Sequence, residues 1–166
     1  PVIDDECEYE GNVPFPWGNI TARELVHRFW IAVVSGTYAG HGETYVHPQD
    51  ILWWSKGGVL RGESWQRIAF LRQIVEEGPG PLEPIEGSWV WTRIFGGKRG
   101  NYRLIYFGEH QPTAWGFGLP EGISYKADVI DTWDMTVEAL PDTYANADAI
   151  PLPGRPHIAL RIRPIV

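Results

Sequence analysis

The feature that most constrains this chain is a change of pattern near Gly78. Before it, apolar residues recur at helical spacing in two stretches, each preceded by a short β-type run and a polar loop. After it, apolar and polar residues alternate in short runs between turn residues. A first helix is predicted from Thr21, because Thr21-Ala-Arg-Glu24 has capping-box spacing and Ile20 can staple onto Leu25. Leu25, Val26, Phe29, Trp30, Ala32 and Val33 then recur until Gly36 offers a stop. A second helix, from Ser64, sets Trp65, Ile68, Leu71 and Val75 on one face and stops at Gly78 before Pro79. Val2-Ile3 and Thr37 to His41 read as the strands ahead of these helices. Two successive strand-to-helix units match the grammar of a parallel α/β layer, although two strands cannot close a barrel.

Pro79-Gly-Pro-Leu-Glu-Pro84 reads as a semi-rigid linker. Beyond it, β-type runs are predicted from Tyr102 to Phe107, Thr113 to Phe117, Tyr125 to Thr132, Met135 to Leu140 and His157 to Ile162. Short strands at that spacing indicate an antiparallel β-sandwich, with Pro120-Glu-Gly122 and Pro153-Gly154 closing hairpins. The expected fold class is therefore α/β plus all-β.

The polar residues concentrate at the first strand. Val2-Ile3 breaks directly into Asp4, Asp5, Glu6, Glu8 and Glu10, with Cys7 and Tyr9 between them. Apolar runs of that kind suit a strand buried on both faces, and carboxylates at its exit lie where parallel-sheet proteins place their chemistry. The same residues also read as a solvated acidic loop. A calcium site at Asp4, Asp5 and Glu8 fits no EF-hand spacing, so no metal site is assigned. Asn12-Val-Pro-Phe-Pro-Trp-Gly18 carries two aromatics on an irregular loop, and the second strand delivers His41 and Glu43 at its exit. Trp53-Trp54-Ser-Lys-Gly-Gly58 pairs two indoles with a lysine but lacks the Walker spacing of a phosphate loop. His27 reads as an ordinary helix residue, and His110 as a loop residue.

Composition narrows the classes of function. A net charge of −7 without a basic run speaks against nucleic acid or an anionic membrane as the main partner. No segment has the length of a bilayer span, and the single Cys7 leaves no internal disulfide or cysteine-built metal site. Nine Trp, seven Tyr and six Phe are an aromatic load that suits either a large core or stacking on sugar rings. In the C-terminal half, Tyr106, Trp115 and Trp133 read as core aromatics or as a sugar platform. The chain begins without Met inside an apolar run, and so reads as a processed product or a piece of a longer protein.

Pro-Val-Ile-Asp-Asp-Glu-Cys-Glu-Tyr-Glu-Gly, then Arg-Phe-Trp-x-Ala-Val-Val-Ser-Gly and Thr-Tyr-Ala-Gly-His-Gly-Glu, resemble the last two strand-helix units of apiosidase-like glycoside hydrolase barrels. The resemblance is to the bacterial subgroup whose barrel is followed by a small β domain of unknown function. It implies a (β/α)8 barrel end over residues 1–78, a linker and lead-in segment over 79–100, and a β-sandwich domain over 101–166. Glu6 is implied as the catalytic nucleophile of a retaining mechanism, with Tyr9 and Glu10 as the nearby Tyr-Glu pair. This chain has Asp5 and Cys7 around Glu6 where the commoner version reads Gly-Glu-Pro. A retaining glycosidase needs a second carboxylic acid about 5 to 5.5 Å away to protonate the leaving oxygen. The resemblance puts that acid after the fourth strand, outside this chain, so the segment alone is expected to be inactive. Trp17, His41, Glu43, Trp53 and Trp54 complete the expected substrate-binding set. The expected partner is an oligo- or polysaccharide, no cofactor is called for, and open strand edges favour a homo-oligomer. The rival expectation is a non-catalytic carbohydrate-binding or structural sandwich. The compartment is left open.

Overall fold

The computed structural model describes residues 2–42, 44–49, 57–85, 92–116, 119–146 and 148–165. Strand β1 (Ile3–Asp4) leads through a loop with a 3-10 turn (Pro16–Gly18) to helix α1 (Ala22–Val34) and strand β2 (Tyr38–Ala39). Helix α2 (Ser64–Glu76) follows. The remaining strands are β3 (Glu83–Pro84), β4 (Phe95–Arg99), β5 (Tyr102–Tyr106), β6 (Ala114–Trp115), β7 (Tyr125–Asp131), β8 (Thr136–Ala139), β9 (Ile150–Pro151) and β10 (Ile158–Pro164).

The helix starts follow local chemistry. Thr21 Oγ1 accepts from the Glu24 amide at 3.2 Å, as the capping spacing predicts. Gly36, at φ 76, ends α1 and leaves room that a Cβ would lose, since it would sit 2.6 Å from the Leu82 carbonyl oxygen. The buried face of α1 is Leu25, Val26, Phe29, Trp30 and Val34. On α2 the expected face is corrected: Leu71 and Ile74 are buried with Ile68 and Val75 beside them, while Trp65 is 39% exposed. Six residues at about 100° each put Trp65 about 120° round the helix from Leu71, outside the buried stripe.

β1 and β2 pair in parallel, with Ile3 opposite Tyr38 and Asp4 opposite Ala39. The expectation that β1 is buried on both faces does not hold in this chain. Val2 and Ile3 are 68% and 62% exposed, because among the described residues only β2 lies beside this strand.

The C-terminal half is one six-stranded sheet, in the order β3-β4-β5-β10-β7-β8, and every neighbouring pair in it is antiparallel. Side chains alternate across it. Tyr102, Leu104 and Tyr106 of β5, Ile130 of β7 and Ala159 of β10 face α1 and α2 and join their core. Ile105, Val129, Ile158, Leu160 and Ile162 face the other way, under the two-stranded β6–β9 pair with Trp115, Ile150 and Leu152. Where a sandwich was expected, the described residues thus form one large sheet with helices on one face and a small strand pair on the other.

Two sequence-predicted features are revised. Pro120-Gly122 and Pro153-Gly154 do not close hairpins. They carry the chain between sheets, since β6 pairs with β9 and both β7 and β10 belong to the larger sheet. The stretch 79–100 contributes β3 and β4, and β4 turns into β5 through Gly100-Asn101, with Gly100 at φ 54 in the first position of a two-residue hairpin loop.

Two polar networks fasten the helices to the sheet. Arg161 and Asp128 face each other across β10 and β7, with Nε 2.7 Å from Oδ2. Arg161 also reaches Glu77 Oε2 at the end of α2 at 2.6 Å, and Arg163 holds the other Asp128 oxygen at 2.8 Å. The Arg161 hydrogen bond keeps Glu77 below the usual carboxylate range. The second network runs His27–Tyr106–His157–Glu109. His157 Nε2 lies 3.3 Å from the Glu109 carboxylate, so neutral His157 keeps its proton there and presents Nδ1 as an acceptor. The Tyr106 hydroxyl donates to that nitrogen at 3.2 Å and accepts from His27 Nδ1–H at 2.9 Å. Burial lowers the pKa of both histidines and pushes the Tyr106 phenol up.

Candidate functional site at the exits of β1 and β2

Beyond Asp4 the chain is held from below and from one side. Cys7 is buried, its thiol donating to the Gly40 carbonyl at 3.7 Å, and burial raises its pKa. Arg28 on α1 donates to the Cys7 carbonyl at 3.3 Å, pairs with Glu8 at 3.1 Å and with Glu24 at 2.7 Å. Glu8 sits at φ 69, a left-handed conformation unfavourable for a residue with a Cβ, and its ion pair helps to hold it there. With Cys7 turned inward and Glu8 drawn to Arg28, Glu6 is left pointing into solvent at the strand exit.

Tyr9 folds back over this exit, and its hydroxyl donates to the Glu6 carboxylate. Burial first, and the Glu6 charge second, raise the Tyr9 pKa, so the phenol stays protonated and able to donate. Its ring lies against Gly42 in the loop after β2. A Cβ there would come 1.8 Å from the Tyr9 ring, so only glycine permits the approach. On its other side Tyr9 meets Trp17 edge to face, with centroids 5.9 Å apart, and Trp17 stacks in parallel on Phe15 at 6.0 Å.

The other expected site residues fall into three groups. His41 follows β2, with its ring 6.2 Å from that of Phe29. Glu10 turns away from Glu6. Its carboxylate accepts from the Glu63 amide at 3.0 Å, the Ser64 amide at 3.0 Å and the Ser64 hydroxyl at 2.6 Å, capping the N-terminus of α2. Glu43, Trp53 and Trp54 lie outside the described residues. Sequence reasoning missed Arg28 and Gly42. The Glu24–Arg28 spacing is visible in the sequence, yet nothing there ties Arg28 to Glu8. Gly42 is signalled only as a glycine at a strand exit.

A hollow of about 500 Å³, lined by Asp4, Glu6, Cys7, Glu8, Arg28 and part of α1, opens along the flank of β1. Another, of about 540 Å³, is apolar and lies between α1, β2 and α2, lined by Phe29, Val33, Tyr38, Ile68, Leu71 and Leu82 among others. In the C-terminal half, Trp115 is buried edge-on against Phe107, and Trp133 is covered by the guanidinium groups of Arg23 and Arg67. His110 Nε2 is bound to the Thr92 carbonyl oxygen. Among the described residues no cluster of His, Cys, Asp or Glu has the arrangement of a metal site. Nor is any described helix long and apolar enough to cross a membrane.

The fold of this chain recurs in solved structures. A candidate glycoside hydrolase from Bacteroides vulgatus is similar over 99% of this chain and 36% of its own, at 30% identity and a TM-score of 0.83. The chain has the fold of one part of that protein. Two further structures, one named a glycoside hydrolase and the other a family 5 glycoside hydrolase from Bacteroides vulgatus, each align with a TM-score of 0.65 at 14% identity. They cover 98% of this chain and 42% and 41% of their own chains, and share the fold alone. Residues 91–163 match the family model of a domain of unknown function, DUF5605. No curated protein matches. The chain spans between a third and a half of the length of the solved structures it resembles.

Proposed function

We propose that this chain is part of a glycoside hydrolase, in which β1, α1, β2 and α2 are the last two units of a (β/α)8 barrel of the apiosidase-like kind. Glu6 is its nucleophile and the substrate is an oligo- or polysaccharide. The observation that carries this reading is Glu6 itself: a solvent-facing carboxylate at a parallel-strand exit, bound by the Tyr9 hydroxyl. A nucleophilic carboxylate must be ionised and aimed, and a protonated phenol donating to it serves the aiming. The resemblance to a candidate glycoside hydrolase over nearly the whole chain supports the reaction class.

In the retaining mechanism Glu6 attacks the anomeric carbon while a second carboxylic acid protonates the departing oxygen. Water then hydrolyses the glycosyl-enzyme. The acid comes from a part of the protein outside these residues. The open apolar hollow between α1, β2 and α2 is a surface that a neighbouring strand-helix unit of the same barrel would cover. The six-stranded sheet braces the two barrel helices from outside through the Arg161 and His157 networks. The rival reading, a sugar-binding sheet, gains nothing from Trp115 and Trp133, which are buried and arginine-covered respectively.

The test is Glu6→Gln in the full-length protein carrying this chain, assayed on aryl glycosides. The expected loss in kcat is at least about a thousandfold, in keeping with removal of a catalytic nucleophile, at unchanged thermal stability. Full activity in the variant refutes the assignment.

A further inference from the structure

The sheet grips α2 at both ends, and the two grips differ. At the C-terminal end, Arg161 of β10 reaches Glu77. At the N-terminal end the sheet offers Trp133, from the turn between β7 and β8. The 13 residues of α2 span about 20 Å at 1.5 Å per residue, so the two grips are separated by the length of the helix. The Trp133 end is the one that Glu10 caps, and so the end that meets the acidic segment after β1.

Trp133 is fixed by its own turn. Its amide and that of Asp134 donate to Asp131 Oδ1 at 2.9 and 2.7 Å, while Arg155 holds Asp131 Oδ2 at 2.9 Å. Thr132 donates to the His157 carbonyl, from its hydroxyl at 2.7 Å and from its amide at 3.1 Å. Onto the indole come one cation from each helix: the Arg23 guanidinium carbon lies 4.3 Å from the ring centroid and that of Arg67 lies 3.7 Å from it. Arg67 Nε also donates to the Trp133 carbonyl at 2.9 Å.

Two bonded routes lead from this ring to Glu6. Along the first, Arg67 Nη1 donates to the Glu63 carbonyl at 2.8 Å, and the Glu63 and Ser64 amides each donate to the Glu10 carboxylate at 3.0 Å. Glu10 directly follows Tyr9, whose hydroxyl holds Glu6. The second route runs through Arg23, in the first turn of α1 and close after Ile20. The Ile20 amide donates to the Tyr9 carbonyl at 3.3 Å, and its carbonyl accepts from the Gly11 amide at 3.3 Å. The segment from Tyr9 to Gly11 is thus bonded to the starts of two helices, and both starts are pinned to one indole of the sheet.

We propose that Trp133 is a positioning residue for the Glu6–Tyr9 pair, acting through Arg67 and Arg23 on the segment from Tyr9 to Gly11. The sheet is then part of the frame that aims the carboxylate, as well as a brace for the helices. This rests on the glycoside hydrolase reading and gives that site a positioning residue in the other half of the chain.

The experiment compares Trp133→Ala, Trp133→Phe and Glu77→Ala in the full-length protein, by kinetics on a panel of 4-nitrophenyl glycosides and by amide hydrogen exchange. Trp133→Ala lowers kcat about tenfold with KM within about twofold of wild type, the size of two lost cation–π contacts felt at the reacting group. The Gly11, Glu63 and Ser64 amides exchange about tenfold faster in it, while the Leu160 amide of β10 exchanges as before. Trp133→Phe keeps a ring for the guanidinium groups and recovers most of both losses. Glu77→Ala loosens the far end of α2 and leaves kcat and the same amides as in wild type. A lowered melting temperature in Trp133→Ala with kcat and those amides unchanged overturns the proposal, because Trp133 is then a packing contact only. Equal acceleration of exchange in Trp133→Ala and Glu77→Ala also overturns it, as does a raised KM at unchanged kcat. Where Glu6→Gln is inactive, any of these results leaves the nucleophile standing; a fully active Glu6→Gln removes the reading and the proposal together. If no glycoside of the panel is cleaved, exchange decides: faster exchange confined to Gly11, Glu63 and Ser64 supports the proposal, and unchanged exchange refutes it.

Discussion

The exits of β1 and β2 and the six-stranded sheet solve opposite problems. At the exits only two residues of each strand are paired, and Val2, Ile3 and Tyr38 are more than half exposed. In the sheet, β10 is paired along both edges, and Leu104, Ile130, Ala159 and Leu160 have no exposed surface. The exits hold their shape through a few specific devices, namely buried Cys7, the Arg28 clasp and Tyr9 on Gly42. The central strands of the sheet hold their shape by burial on both faces. The proposed nucleophile, Glu6, would have to meet water and substrate, and it lies where coverage is thin. The scaffold that aims it belongs where coverage is complete.

This contrast can be broken at its strongest point first. Arg161→Met removes the cation between Asp128 and Glu77 and leaves the Asp128 carboxylate, 1% exposed, with Arg163 alone. A loss of about 3 kcal/mol in urea unfolding is expected, since breaking one side of a buried pair strands the other. A loss below about 1 kcal/mol would show that the helices are held to the sheet by apolar packing alone. The double variant Arg161→Met with Asp128→Leu should recover much of that loss.

The His27–Tyr106–His157 network gives the sheet side a pH dependence below neutrality. Both histidines have folded pKa values below the unfolded value of about 6.5 because of burial. Glu109 opposes this for both and Glu24 for His27, while Arg28 and Arg93 add to it at His27 and Arg23 at His157. The unfolded chain therefore binds more protons between those values. Stability is complete above about pH 6.5 and falls as pH drops toward the lowered folded values, by at most about 1.4 kcal/mol per pH unit for each histidine. The melting temperature should be lower at pH 5.5 than at pH 7.5, and His27→Gln should flatten the difference. A wild-type melting temperature that is level over this range would mean that the histidines are charged in the fold. Glu77, with its lowered pKa, contributes a separate acid loss beginning only near the ordinary carboxylate range.

The smallest effect sharpens the contrast within the exit region itself. Glu10→Gln weakens the cap on α2 by replacing a carboxylate at a helix N-terminus with a neutral amide, at a cost of about 1 kcal/mol. Differential scanning calorimetry checks it. Glu6→Gln, four residues earlier, should leave stability within about 0.5 kcal/mol, because Glu6 is exposed and no helix end depends on it. Equal losses from the two would erase the distinction between the structural carboxylate of Glu10 and the proposed reactive one of Glu6.

Local signals in the sequence determined what local physics controls. Thr21 and Glu24 mark the start of α1 and Gly36 its end, and alternation from Tyr125 to Asp131 and from Ile158 onward marks two central strands of the sheet. The placing of Glu6 in the acidic stretch that follows a short apolar run was equally legible. Other features depend on residues far apart in the chain. That Glu10 caps a helix 53 residues away, while Glu6 keeps its carboxylate for Tyr9, could not be read from five acidic residues within seven positions. The strand next to the sheet's β3 edge was hidden too, because β4 is Phe-Gly-Gly-Lys-Arg and offers almost no β-forming side chains. It is a strand because β5 pairs with it through the Gly100-Asn101 turn, and because Gly97 lets the end of α1 approach, where a Cβ would lie 2.3 Å from the Val34 carbonyl oxygen. Periodicity and caps act within one or two turns of chain, whereas pairing, burial and the choice among like carboxylates are settled by neighbours that only the folded chain brings together.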